Sequence, residues 1–391
     1  MGQSQDAMTA DPHTVFAMMR QAGPVARIPL GDSGVTGFLI TRHEDAKRAL
    51  GDARLAKGPS RSVLPPEMIK EGLSKHMLST DPPGHSRLRK LVSLEFTPRR
   101  IEALRPRIEE ISKSLIEAMR GKDSADLIDD YAFPLPFQVI CELIGVPVIE
   151  RDDFRRWSNI LLDEFLVGTP EAVAASGSML EYVQNLVERK RSEPDDALLS
   201  SLIRASDAGD RLDRDELTSL VFLLLVAGHE TTVNLIGNAI YLLLRHPAKL
   251  AELRADPGTV PGLIEEVLRY ESPVKTATLR MSVAEVTIGD TTIPPGSLVF
   301  IGLMSANRDS ETFHDPDTFD ISRTDAGQHL AFGHGIHFCL GAPLARMEGT
   351  IAIGDLLSAF PTLHLGVPES DVTWRPGMLL RGLSHLPVRF S

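Results

Sequence analysis

The chain has 391 residues, a formal net charge of −12 and a charged fraction of 24%. Those totals suit a soluble globular protein, and the acidic balance excludes general nucleic-acid binding. Two cysteines, Cys141 and Cys339, exclude a disulfide framework and fit a reducing compartment, so the expected location is cytoplasmic. The opening MGQSQDAMTADP shows no basic segment followed by an apolar core. Uncharged stretches such as 231–244 fall short of the ~20 apolar residues a membrane span needs, so no membrane anchor is expected.

In chain order, Val25 to Leu30 and Val35 to Ile40 are β-like runs around Gly31-Asp32-Ser33-Gly34, which reads as a hairpin. A basic island follows from His85 to Arg107, where Arg87, Arg89, Lys90, Arg99, Arg100, Arg105 and Arg107 face only Glu95 and Glu102. Such an island is usually a solvated face; it also suits an acidic partner or the carboxylates of a cofactor. From His85 to about Leu268 the pattern is helical. Thr97-Pro98 predicts a cap and a first-turn proline for a helix running to about Gly121. Cys141, in the apolar FQVICELIGV, reads as core.

Asp213 and Glu216 have capping-box spacing and open a helix that stops before Pro247, about thirty residues or roughly 45 Å long. It is apolar nearly all round, so it must cross the middle of the molecule. Strands are predicted at Ala284 to Ile288, Thr291 to Ile293 and Leu298 to Ile301, with a β-rich segment from Thr362 onward. No repeat or flexible linker cuts the chain. The expected fold is mainly α with minor β-sheets, one domain over 1–391 built around a long central helix.

Residues 330 to 346 read LAFGHGIHFCLGAPLAR. Gly335 and Gly341 permit a tight backbone around Cys339, and the helical pattern beginning just after it offers free N–H groups to a thiolate. A zinc site would need more clustered ligands than His334 and His337 supply. A nucleophilic thiolate with a distant base stays open. Haem iron needs one thiolate, a glycine-lined turn and a flat apolar neighbour such as Phe332, which explains most of the loop.

The central helix is interrupted by Ala227-Gly228-His229-Glu230-Thr231-Thr232. An unpaired carboxylate is costly between apolar runs, although a threonine bonding back to its own helix is the ordinary reading. An acid beside an alcohol also suits a proton relay. Glu266 and Arg269 stand three apart on a helix, a spacing that is most often an exposed pair. His85 and Arg89, four apart, form a face of paired donors.

Together these stretches resemble the cytochrome P450 superfamily, the haem-thiolate monooxygenases, over essentially the whole chain. FGHGIHFCLG at 332 to 341 matches the family's Cys loop, AGHETT at 227 to 232 its oxygen-activating helix, and Glu266 to Arg269 its ExxR pair. The PDTFDISR stretch adds Arg323, completing a buried Glu–Arg–Arg cluster. The resemblance is to the bacterial branch, nearest in look to polyketide- and macrolide-tailoring members.

The resemblance implies haem b between the central helix and the Cys loop, with Cys339 as the axial thiolate. Leu340 and Gly341 N–H groups would face the sulfur, and Phe332 would pack on the same side. His85, Arg89, Arg280 and His337 would hold the haem propionates. Ala227 and Gly228 would form a groove for O2, into which Glu230 and Thr231 would deliver protons. Electrons would come from NAD(P)H through ferredoxin reductase and ferredoxin, docked by the remaining basic island.

The implied pocket residues are Leu64, Leu78, Leu162, Phe165, Val226, Val274, Ala277 and Leu379. They are mostly aliphatic, which favours a bulky apolar macrocyclic or alicyclic substrate, hydroxylated or epoxidised by a monomeric enzyme. A steroid, terpenoid or xenobiotic hydroxylase is the alternative. A peroxide-driven enzyme or a non-catalytic haem sensor or carrier would leave the acid–alcohol pair idle.

Overall fold

The helix capped by Asp213 organises the molecule. In a computed structural model, which describes residues 8–30, 35–63, 70–94, 96–147, 151–163, 169–207 and 212–390, it spans Arg214–Arg245. The capping box forms: Glu216 N donates to Asp213 Oδ1 at 2.7 Å, and Asp213 N to Glu216 Oε2 at 3.0 Å. It satisfies two donors that a helix start leaves orphaned. The helix ends before Pro247, which opens the next helix, Pro247–Ala255.

Between Leu217 and Leu243 only Phe222, Ala227, Gly228 and Thr231 are not buried. The helix is long and apolar enough to cross a membrane, but 78% of its most apolar window lies inside the protein. Its hydropathy is therefore that of a core element. It packs on Pro134–Ile144, Pro170–Ser192, Val260–Tyr270 and Ala342–Ala359. Each fully buried Leu or Ile at these contacts contributes ~1.5–3 kcal/mol, so an acid at Leu235 or Ile236 would break the bundle. Gly228 allows one close approach, since a Cβ there would lie 2.7 Å from the Ile140 side chain.

The mainly helical chain (59%) carries small sheets at its margin. The five-stranded sheet runs β1 (Val25–Leu30), β2 (Val35–Ile40), β8 (Leu298–Ile301), β5 (Arg280–Ser282), β3 (Leu55–Ala56). β1 and β2 form the expected hairpin, in register from Val25↔Ile40 to Leu30↔Val35; the turn lies outside the described residues. β2 is parallel to β8, while β5 is antiparallel to both β8 and β3. A second sheet joins β4 (Ser124–Asp126), β10 (Pro387–Arg389) and β9 (His364–Leu365), and β6 (Val286–Ile288) pairs with β7 (Thr291–Ile293).

Three expectations need correction. β6 begins at Val286 rather than Ala284. Thr97 precedes the helix Pro98–Met119 without a side-chain cap bond, so the first-turn proline marks that start by itself. The segment after Thr362 is mostly loop, because β9 and β10 are short and only bridges such as Trp374↔Leu383 extend the pairing. Cys141 is core as expected: burial pushes its thiol up to about 12.

Candidate active site

The Cys loop is folded by its own backbone. Gly333 N bonds Leu330 O at 2.8 Å, Phe338 N bonds Gly335 O at 3.1 Å, and Cys339 N bonds Phe332 O at 2.9 Å. Gly333 and Gly335 both sit at φ 73°, the left-handed region. A Cβ on Gly335 would also press to 3.3 Å from the backbone of Leu50 and Gly51. The following helix, Ala342–Ala359, starts three residues after Cys339 with Gly341 as its cap residue.

The backbone N–H groups that most favour the Cys339 thiolate are those of Gly341, expected from the motif, and of Ala342 beyond it. The helix starts at Ala342, so its free N–H groups begin there. The thiol is enclosed by protein yet keeps accessible side-chain surface. Burial raises its pKa, and the two N–H groups with Arg89 and Arg346 only partly offset that. A bound cation is what would hold this sulfur as thiolate. Beside it, Arg346 lies 4.6 Å over the Phe332 ring and makes a two-pronged ion pair with Glu265 at 2.6 and 2.8 Å.

Ala227, Gly228 and Thr231 form the one accessible stripe in the middle of the central helix, among the described residues. Thr231 Oγ1 donates back to Ala227 O at 3.0 Å. Glu230 lies elsewhere: it is buried and bonded to Ser158 Oγ at 2.9 Å, His229 Nε2 at 3.1 Å and Arg375 Nη1 at 2.7 Å. Burial would raise its pKa, but the Arg375 guanidinium and His229 outweigh it and hold the carboxylate far below the usual range. The structure therefore does not bond the acid to the alcohol. Instead Glu230 lines a cleft of about 320 Å³ with Asp129, Arg155, Asp163, Arg375 and His385. Nothing local announces Arg375, because it meets Glu230 across 145 residues of chain.

The four propionate candidates converge. His85 and His337 rings stand 4.4 Å apart, and Arg89 Nη2 bonds Phe338 O at 2.8 Å. Arg280 and His85 are buried, yet neither His85 nitrogen nor Arg280 Nε has a hydrogen-bond partner. The neighbouring cations and burial press His337 down to about 3. This corner is rich in donors and short of acceptors.

Glu266 and Arg269, both 0% exposed, share two bonds of 2.7 Å, with Arg323 Nε 3.5 Å from Glu266 Oε2. Arg269 also bonds the carbonyls of Asn307, Pro316 and Thr318. The helical pair is thus a buried clamp rather than a surface pair.

Of the proposed pocket residues, Leu64 and Phe165 lie outside the described residues. Leu78, Leu162, Val274, Ala277 and Leu379 are half-buried, whereas Val226 is packed in the core. Val274 bridges Leu380, and Lys275 N bonds Leu379 O, so the two last segments named for the pocket are joined. A larger cleft of about 720 Å³ near His13 and Trp374 contains none of these residues.

A lone cysteine at a helix start, a donor-rich corner short of acceptors and an accessible stripe on a buried helix fit a flat macrocycle with carboxylate arms, held through a metal. That is the site of a haem-thiolate protein. The comparisons agree. The family model described as Cytochrome P450 matches residues 152–381. Cytochrome P450 107B1 of Saccharopolyspora erythraea is 51% identical, over 98% of this chain and 96% of that protein. 6-deoxyerythronolide B hydroxylase of the same organism is 44% identical, over 99% and 98%. The tirandamycin C-bound P450 monooxygenase TamI superposes with a TM-score of 0.93 at 45% identity, covering 99% of each chain. The chain belongs to the cytochrome P450 family. It is a monooxygenase, with the haem iron, dioxygen, small-molecule substrate and redox partners that membership entails.

Proposed function

We propose that this cytoplasmic monooxygenase hydroxylates or epoxidises a bulky apolar product of secondary metabolism, of the polyketide or macrolide kind. The observation that carries the reading of the site is the exposed Cys339 just before the helix Ala342–Ala359, where the Gly341 and Ala342 N–H groups favour its thiolate. The similarity to a 6-deoxyerythronolide B hydroxylase and to a tirandamycin-binding enzyme supports the substrate class. Haem bound there supplies dioxygen activation at iron.

The chain's own residues do the rest. Cys339 would hold the iron through Sγ, with the Gly341 and Ala342 N–H groups tempering its charge. His85, Arg89, Arg280 and His337 bind the carboxylate arms, and Phe332 with Arg346 flanks the thiolate. Leu340 packs against the core from within the loop. Ala227 and Gly228 leave room along the central helix. Thr231 moves a proton at Oγ1, whereas Glu230, ionised and held by Arg375, His229 and Ser158 at the wall of the 320 Å³ cleft, makes no bond to it and serves as a positioning charge. Glu266, Arg269 and Arg323 hold the meander behind the Cys loop.

Thr231→Ala is expected to lower product formation on the order of a hundredfold while NAD(P)H consumption continues. An unchanged yield per electron would remove Thr231 from the relay. The substrate class is tested by the haem spin-state shift on titrating macrolactones, steroids, terpenoids and fatty acids. Saturation by macrolactones supports the proposal, and saturation by steroids alone would replace it.

An acidic ferredoxin, fed by a reductase, is the proposed electron donor. Within the basic island Arg105 pairs with Glu102 and Arg107 with Glu110 and Glu142, which leaves these two arginines less suited to an acidic partner. Lys90 and Arg99 stay exposed, near the exposed Leu94. Reversing both charges should slow ferredoxin-supported turnover about tenfold and flatten its salt dependence. Turnover unchanged at every ionic strength would place the dock elsewhere.

A further inference from the structure

Lys57 is 3% exposed, an unusual place for an ammonium group. It follows β3, whose antiparallel register with β5 pairs Leu55 with Ser282 and Ala56 with Met281. One step further along that register sets Lys57 opposite Arg280, itself 3% exposed. Like charges opposite one another on adjoining strands repel, and burial sharpens the cost.

No carboxylate accepts a hydrogen bond from either side chain, among the described residues. Lys57 Nζ donates to Thr278 O at 2.7 Å and to the Thr278 hydroxyl. An ammonium carries three protons, so one donor is uncommitted. Arg280 bonds the carbonyls of Ala49, Leu50 and Leu55 and leaves Nε without a partner. Asp81, the acid both cations feel, already accepts from the Lys57 and Gly58 backbone N–H groups at 2.8–3.1 Å. The His85 ring stands 4.4 Å from His337, Arg89 bonds Phe338 O at 2.8 Å beside it, and Lys57 and Arg280 lie near enough for their charges to reach that ring. The corner gathers more positive charge than the already committed carboxylate of Asp81 offsets.

We propose that Lys57 is a further anchor of the haem carboxylates, its ammonium held opposite Arg280 by the cofactor rather than by a protein acid. The inference rests on the haem-thiolate reading. It also accounts for the lysine itself: burial and Arg280 press its pKa well below the ordinary value, and a carboxylate arriving at the free donor would restore the charge.

The test is the rate at which holoprotein gives up its haem to excess apomyoglobin, for wild type and Lys57→Met. Each is loaded with native haem or with haem dimethyl ester, which lacks the two charges. With native haem the variant should lose cofactor about tenfold faster, in line with the loss of a charge-assisted bond. With the ester the two proteins should match. Equal acceleration with both haems would show a merely structural lysine and overturn the proposal, as would no acceleration with native haem. If Lys57→Met yields too little holoprotein, Lys57→Gln is read by the propionate bending bands in resonance Raman. A shift supports the anchor, and unshifted bands overturn it. Absence of a thiolate-type ferrous–CO absorption in wild type would instead sink the haem-thiolate reading itself.

Discussion

Arg269→Met is expected to cost about 3–5 kcal/mol of stability, the usual price of removing one partner from a buried ion pair. Glu266 would be left at 0% exposure with Arg323 3.5 Å away and the Asp320 N–H at 2.9 Å as its remaining partners. Three carbonyls, of Asn307, Pro316 and Thr318, would lose the guanidinium that gathers them. The damage should reach the Cys loop. Asn307 Oδ1 accepts from Leu330 N at 2.6 Å at the loop's first residue, and Asn307 Nδ2 bonds Ser272 Oγ at 2.8 Å. Holoprotein denaturation should therefore show lower stability together with faster haem loss. Arg346→Met is the control, because its pair with Glu265 is partly exposed and should cost about 1 kcal/mol or less. Equal small losses in both variants would mean that the Glu266 clamp is not structural.

The features legible in the sequence are those whose partners sit within a few residues. Asp213 and Glu216 close a capping box on each other, so the central helix could be read at its first turn. β7 and β8 match their expected bounds because turns and a proline bracket them. Glu266 and Arg269 were readable as neighbours on a helix, but their burial came only from the family resemblance, since it depends on carbonyls 47 and 49 residues onward. The same limit explains Arg107, which looked like a free surface cation until Glu142 on another helix neutralised it. The parallel pairing of β2 with β8 crosses most of the chain and leaves no local trace.

Lys57 and Glu230 show two further kinds of limit. Lys57 belongs to no motif, and only the register of β3 on β5 sets it opposite Arg280. Glu230 does belong to one, yet adjacency along a helix does not make two side chains meet. Neighbours on a helix point about 100° apart, so Thr231 reaches the accessible stripe while Glu230 turns to Ser158 and Arg375. The motif named the residues, and the tertiary contacts set their division of labour.

That division makes Arg375→Leu the second large prediction, and its sign depends on pH. In wild type the folded-state pKa of Glu230 lies below its ordinary value, so its contribution to stability is full above the unfolded pKa. It fades only as pH falls toward the folded value. Without Arg375, burial dominates, and Asp163, whose pKa burial already raises, loses the same guanidinium. Both carboxyls would then prefer to be protonated in the folded state. A group with a raised folded pKa stabilises most below its unfolded pKa and loses that contribution as pH climbs through the folded one. The deficit of Arg375→Leu should therefore grow from pH 5 to pH 7.5, reaching about 3 kcal/mol, the low end for breaking a buried pair because His229 and Ser158 remain on Glu230. Urea midpoints of the holoprotein at the two pH values measure it. Adding Glu230→Gln to Arg375→Leu should recover part of the loss at pH 7.5 and little at pH 5. A deficit independent of pH, unrelieved by the second change, would show that Arg375 acts by packing alone and does not hold the Glu230 charge.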